Sequence, residues 1–170
     1  ANGVNQMLSG SLDFLLKMKI RVIHIFGDSE IIDMRYKNKE NYLQIKFIEE
    51  IASLIQNCDL VISRAGAMTI NELIKTQKPS ILIPYPKSKN NHQEENAMVL
   101  ASIGASIIIN QDKNGTSVLK NVLNEMFKLD IENHCKYKML ETMKKNIKKI
   151  KYIDSKEKIK KIINSHLKEF

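Results

Sequence analysis

Five short apolar runs, four of them followed by a segment of helical periodicity and the first by an ambiguous polar stretch from Ser29 to Lys39, constrain this 170-residue chain more than any other feature. The runs are Arg21 to Phe26, Tyr42 to Phe47, Asp59 to Ser63, Ser80 to Ile83 and Ser106 to Ile109. They have strand length, and Gly27-Asp28, Lys78-Pro79 and Pro84-Tyr85-Pro86 punctuate them. Between them, helical spacing predicts helices from Val4 to about Lys17, Glu49 to Asn57, Thr69 to Lys75, about His92 to Ile103, and Ser117 to Phe127. Further helices are expected over Glu132 to Lys149 and Ser155 to Leu167, with Asp154 as an N-cap. Parallel strands need a crossover of this kind, so the alternation calls for a parallel sheet covered by helices on both faces. That architecture is a Rossmann-like α/β domain, whose ligands bind outside the carboxyl ends of the strands.

Three loops fall at such ends: Phe47-Ile48-Glu49, Arg64 to Thr69, and Pro84 to Gln93. The middle one belongs to DLVISRAGAMTINE, Asp59 to Glu72, in which a buried strand meets a small-residue turn and then a helix. Small residues let a ligand approach the backbone closely. The first amides of a helix lack partners and its dipole adds partial positive charge, so this turn suits a diphosphate. A structural reading stands beside it. Thr69-Ile70-Asn71-Glu72 fits a capping box, with Thr69 as cap and Glu72 reaching back to a backbone amide. The functional alternative is a carboxylate accepting both ribose hydroxyls. His24, inside a strand, reads as structural.

The charge balance narrows the partners. The net charge of +8 comes from residues 136–170, where twelve Lys face four acids; residues 1–135 are neutral. A basic helical tail over residues 151–170, beyond a domain of residues 1–150, suits an anionic membrane surface or plain solvation. Aromatic residues are only 6% and Trp is absent, so nucleic acid is not an expected partner. No apolar run approaches the roughly 18 residues that span a bilayer. Cys58 and Cys135 lack metal-ligand spacing, and Cys58 follows the apolar face Ile51, Leu54, Ile55, which favours a buried, reduced thiol and a cytoplasmic location.

The motifs SRAGAMTINEL, KPSILIPYP and HQEENA, in this order and spacing, resemble the carboxyl-terminal half of the MurG family of bacterial glycosyltransferases. ANGVNQM and FIEEIASL are similar to that family's first helix and a later stretch, so the likeness covers essentially the whole chain. It implies the C-terminal domain of a GT-B hexosyltransferase of peptidoglycan synthesis, and so of cell-wall biogenesis, cell shape and cell division. Such an enzyme moves N-acetylglucosamine from UDP-GlcNAc to muramoyl-pentapeptide on undecaprenyl diphosphate, giving lipid II, at the inner face of the cell membrane. The resemblance places Ile48 at the uracil through its backbone, beside Phe47. It brings Ala67, Met68 and Thr69 to the diphosphate, with Ile70 and Asn71 completing the contact stretch. Glu72 then accepts the ribose hydroxyls, a reading this resemblance favours over the cap. Gln93 meets the sugar hydroxyls with His92 next to it, and Asn96 fixes the loop. Arg64 either offsets phosphate charge or braces the turn.

Chemistry in that family is direct displacement with inversion at the anomeric carbon. It asks for no metal or cofactor, and no Asp-x-Asp motif occurs at the expected loop. No catalytic base is expected in this half, because the resemblance assigns it to the acceptor-binding amino-terminal domain. A leading strand and the rest of a glycine-rich loop are likewise expected ahead of Ala1. The chain is therefore expected to be part of a longer transferase and inactive alone. The rival is a separate donor-binding subunit, as in the dolichol-pathway N-acetylglucosaminyltransferase, though RAGAMT and HQEENA are more similar to the one-chain bacterial form.

Overall fold

The computed structural model describes residues 2–28, 34–36, 39–127, 129–130 and 135–150. In chain order the elements are α1 (Asn2–Ser9), α2 (Leu12–Lys17), β1 (Val22–Ile25), β2 (Tyr42–Ile45), α3 (Ile51–Gln56), β3 (Val61–Ser63) and α4 (Ala67–Thr76). Then come β4 (Ser80–Leu82), α5 (His92–Ala101), β5 (Ser106–Ile108), α6 (Gly115–Phe127), β6 (Leu129–Asp130), β7 (Cys135–Lys136) and α7 (Lys138–Ile147). The strands β1 to β5 all lie inside the apolar runs read for them, and every pairing among them is parallel.

β4 shows why the domain has two cores. It is buried at every position, and its side chains alternate between faces. Ile81 and Ile83 pack with Met7, Leu12, Leu119 and Leu123 from α1, α2 and α6. Leu82 points the other way, among Ile55, Ile70, Leu73 and Leu100 from α3, α4 and α5. A strand covered by helices on both sides must be apolar throughout, as Ser80-Ile81-Leu82-Ile83 nearly is. α7 closes one edge: Leu140 and Met143 join the first core and Ile147 the second. Lys144 pairs with Asp59 at 3.2 Å, and the Asn146 amide donates to the Gly104 carbonyl at 3.1 Å.

The expected single sheet is instead two parallel ladders, β1-β2 and β3-β4-β5, and no pairing joins β1 to β3 among the described residues. Winding order supplies the reason. A doubly wound sheet of order 3-2-1-4-5-6 grows outward from its first strand. The ladders seen match strands 3-2 and 4-5-6 of that order, with β1 to β5 as its second to sixth strands.

Three local expectations also change. The helix read from Val4 to Lys17 divides at Gly10-Ser11, where the Ser11 amide donates to the Leu8 carbonyl at 2.8 Å, and a Cβ on Gly10 would lie 2.3 Å from Thr116 Cγ2 of α6. The chain passes α6 there too closely for a larger residue, and the apolar spacing survives the bend. The helix read from Glu132 begins only at Lys138, since Tyr137 has φ +61°, outside a right-handed helix, and Cys135–Lys136 pairs antiparallel with Leu129–Asp130. Cys58 is half-buried rather than buried. Its thiol donates to the Leu54 carbonyl at 3.2 Å, and burial pushes its pKa up, which keeps it protonated. The basic helix read over residues 151–170 lies outside the described residues.

His24 is structural, as its place in a strand implies. The buried ring lies 2.8 Å from the Tyr42 hydroxyl through Nδ1 and 3.0 Å from Asn5 Oδ1 through Nε2. Asn5 Nδ2 donates to the Phe26 carbonyl at 3.1 Å, so its Oδ1 is an acceptor. Nε2 therefore carries the proton and Nδ1 accepts from Tyr42. Burial pushes the imidazole pKa down, in keeping with a neutral ring that ties α1 to β1.

Candidate functional site

The turn after β3 opens into α4 three residues earlier than the capping box required, with Gly66 rather than Thr69 as the cap. Gly66 is the N-cap, with φ −66° and ψ 148°, and no side chain caps the helix. The first intrahelical bond runs from the Ile70 amide to the Gly66 carbonyl at 3.0 Å. Thr69 thus stands inside the first turn and Glu72 in the second, so the capping reading of this pair is corrected. Its cause is the run Ala65-Gly66-Ala67, whose small side chains let the helix begin at once.

Three consequences follow for chemistry. The amides of Ala67, Met68 and Thr69 have no backbone acceptor among the described residues. They sit together at the positive end of a ten-residue helix, which is an anion site in waiting. The half-buried Glu72 carboxylate has no hydrogen bond or ion pair among the described residues, so it is not committed to its own helix. Finally, Gly66 has no conformational need to be glycine. Its φ suits any residue, and an added Cβ would meet only Thr69 Oγ1, at 3.8 Å. The space in front of it is open.

The surrounding loops are tied together by side chains. Arg64 Nη1 donates to the carbonyls of Ile83 and Pro84, both at 3.0 Å, and Nη2 donates to Gln111 Oε1. Its guanidinium lies 5.4 Å from the centroid of the Tyr85 ring. Burial pushes the Arg64 pKa down, but a guanidinium stays charged at neutral pH. Gln93 Oε1 accepts from the Tyr85 amide at 2.9 Å, which leaves its Nε2 free to donate outward. Asn96 Nδ2 donates to the Ala65 carbonyl at 3.1 Å, fixing the turn as expected. Bonds from α5 and Arg64 therefore hold the ends of β3, β4 and β5 in one rigid arrangement.

The other sequence candidates take distinct places. Met68 is 79% exposed and Asn71 is exposed at the surface of α4, while the Ile70 side chain is buried in the second core. Ile48 is half-buried between β2 and α3, beside Phe47, which is 74% exposed. His92 is exposed at the start of α5, with Nδ1 3.8 Å from Glu95 Oε2. Sequence reasoning overlooked Gln111, which reaches Arg64 from beyond β5. Its place just past the carboxyl end of β5 is where ligands gather, but a single polar residue there does not stand out by pattern alone.

A doubly wound α/β domain places its ligand sites at the carboxyl ends of its strands, and the uncapped N-terminus of α4 stands at such an end. The chain belongs to the glycosyltransferase family 28 C-terminal domain family, whose model matches residues 1–163. It is 53% identical over 173 residues to the UDP-N-acetylglucosamine–N-acetylmuramyl-(pentapeptide) pyrophosphoryl-undecaprenol N-acetylglucosamine transferase of Prochlorococcus marinus strain MIT 9312, covering 100% of this chain and 47% of the relative. The protein of the same name from strain MIT 9301 is 54% identical, with the same coverage. The chain thus spans about half the length of the curated relatives it matches. Among solved structures, MurG of Acinetobacter baumannii superposes with a TM-score of 0.64 at 25% identity, over 85% of this chain and 42% of that one. The spinosyn forosaminyltransferase SpnP shares the fold, with a TM-score of 0.54 at 15% identity, over 84% of this chain and 32% of that one.

Proposed function

We propose that this chain is the donor-binding part of an inverting transferase that moves N-acetylglucosamine from UDP-GlcNAc to lipid-linked muramoyl-pentapeptide, converting lipid I to lipid II. The observation that carries the reading is the set of amides at Ala67, Met68 and Thr69 that have no backbone acceptor among the described residues, with the Glu72 carboxylate, unbonded among those same residues, one turn further along the same helix. The diphosphate sits on those amides and on the Thr69 hydroxyl, and Ile70 and Asn71 complete the stretch. Glu72 accepts the ribose hydroxyls, and the backbone of Ile48 meets the uracil. Gln93 donates Nε2 to the sugar, with His92 at its side. Arg64 braces the crevice and adds positive charge behind it.

Bond cleavage moves negative charge onto the leaving UDP. Amides and a helix dipole already aimed at that position stabilise the charge without reorganising, and so lower the barrier. The proton of the acceptor hydroxyl leaves to a base outside this chain. The protein that carries the chain works on a membrane-embedded acceptor, so its place is the cytoplasmic face of the membrane as a peripheral protein. No helix among the described residues is long and apolar enough to cross a membrane.

A separate, non-catalytic nucleotide-sugar subunit is the second reading. It has less support, because the curated relatives carry this region within chains about twice as long. The test is Glu72→Ala in the full-length protein. Loss of the bonds to two ribose hydroxyls is expected to raise the KM for UDP-GlcNAc about tenfold or more. Unchanged donor kinetics would overturn the assignment.

A further inference from the structure

Methionine is an apolar side chain that a mild oxidant turns polar, and exposure governs which copy is converted first. Among the described residues Met68 is the most exposed large apolar side chain, at 79%. Met7, Met126 and Met143 are buried in the first core. Met18, Met98 and Met139 are partly exposed at the end of α2, on α5 and on α7. Of these, Met68 alone stands in the first turn of α4, and its own amide is one of the three that lack a backbone acceptor among the described residues.

That position gives the thioether its consequence. Buried Ile70 and Leu73 mark the inner side of α4, and exposed Met68, Asn71 and Lys75 mark its solvent side. Cα–Cβ bonds in a helix tilt toward its N-terminus, so the Met68 side chain rises at the same end that presents the amides. The Cys58 thiol competes poorly for an oxidant. It is half-buried, it donates to the Leu54 carbonyl, and burial pushes its pKa up, so little thiolate forms.

We propose that Met68 is an oxidation site that controls donor binding: hydrogen peroxide converts its thioether to the sulfoxide and so weakens the hold of α4 on a nucleoside diphosphate; this rests on the donor reading above. The sulfur lone pair attacks one peroxide oxygen, forming the S–O bond as the O–O bond breaks. The departing hydroxide takes the proton left on the new S–O group and becomes water. Sulfur loses two electrons and the peroxide gains them. The sulfoxide is neutral, but its oxygen carries partial negative charge and binds water strongly. Beside a diphosphate it repels the phosphate oxygens, takes up part of the positive potential that draws them, and must shed its water as they arrive. The change is reversible, because methionine sulfoxide reductases return the thioether at the expense of two thiols. Linkage makes the effect reciprocal, so bound UDP shields Met68.

The test uses the full-length protein and hydrogen peroxide, with UDP affinity read by calorimetry and the oxidation of each methionine read by peptide mass spectrometry. Each protein is compared with itself before and after treatment. The unchanged sequence is expected to bind UDP about tenfold more weakly once Met68 is oxidised, and to recover with the two reductases. Met68→Leu is expected to lose less than about twofold, whereas Met98→Leu loses as much as the unchanged sequence. Saturating UDP is expected to slow oxidation of Met68 about fivefold or more and to leave Met98 and Met139 within about twofold. Full oxidation of Met68 with UDP affinity unmoved would overturn the proposal, as would an equal loss in Met68→Leu or a Met68 oxidation rate indifferent to UDP. The two readings fail differently: an untreated protein that binds no UDP sinks the donor reading and this one with it, whereas normal UDP binding to the oxidised protein sinks this one alone.

Discussion

Replacing Gly66 by Ala separates the two jobs the turn before α4 could have, holding the fold and holding a ligand. The backbone there, at φ −66° and ψ 148°, is open to alanine, and the new methyl would touch only Thr69 Oγ1, at 3.8 Å. Two stability terms oppose each other. Alanine is a poorer N-cap than glycine, at a cost of about 0.5–1 kcal/mol. It also restricts the unfolded chain, which returns about 0.4–1 kcal/mol. Urea unfolding should therefore give a midpoint close to that of the unchanged protein. Binding has no such compensation, because the methyl stands in the open space before the amides of Ala67, Met68 and Thr69. Loss of one charge-assisted bond to a phosphate, about 1.5 kcal/mol, weakens UDP about tenfold in calorimetry. A clear loss of stability with unaltered UDP affinity would refute the reasoning, because glycine would then be serving the fold.

Other outcomes follow from the same geometry. Arg64→Met strips the donor from the buried carbonyls of Ile83 and Pro84 and should lower stability by about 2–4 kcal/mol in urea unfolding; a loss near zero would show that the brace is idle. Burial lowers the folded-state pKa of His24, so the unfolded chain binds the proton more readily. That stability is fully present above the imidazole's ordinary value of 6.5 and drains away as the pH falls through it toward the folded value. Melting curves at descending pH should show this slope, and His24→Gln should flatten it.

The parts of the fold legible in the sequence were those set by local pattern. Ile81, Leu82 and Ile83 announced a doubly covered strand, and Lys78-Pro79 and Pro84-Tyr85-Pro86 marked its ends. What pattern could not show was contact between distant segments. Gly10, where the first helix divides, lies against Thr116, more than a hundred residues away, and nothing near Gly10 reveals that neighbour. The split between β1 and β3 is a matter of winding order, which strand-by-strand reading does not register. At the site, the turn from Arg64 to Glu72 was visible from its small residues. The start of α4 was misjudged because Thr69 and Glu72 have capping-box spacing, whereas the unpaired Ala67 and Met68 amides belong to a helix already begun. Gln111 stayed hidden because a lone polar residue after a strand has no signature until Arg64 is seen to reach it.

The most direct measurement is an amide-resolved NMR titration of the protein with UDP. If the diphosphate rests on the start of α4, the amide signals of Ala67, Met68 and Thr69 shift furthest, and those of the neutral Cys58 region and of α7 stay put. Saturable UDP binding that leaves these three amides unmoved, with the large shifts on another face, would contradict the account.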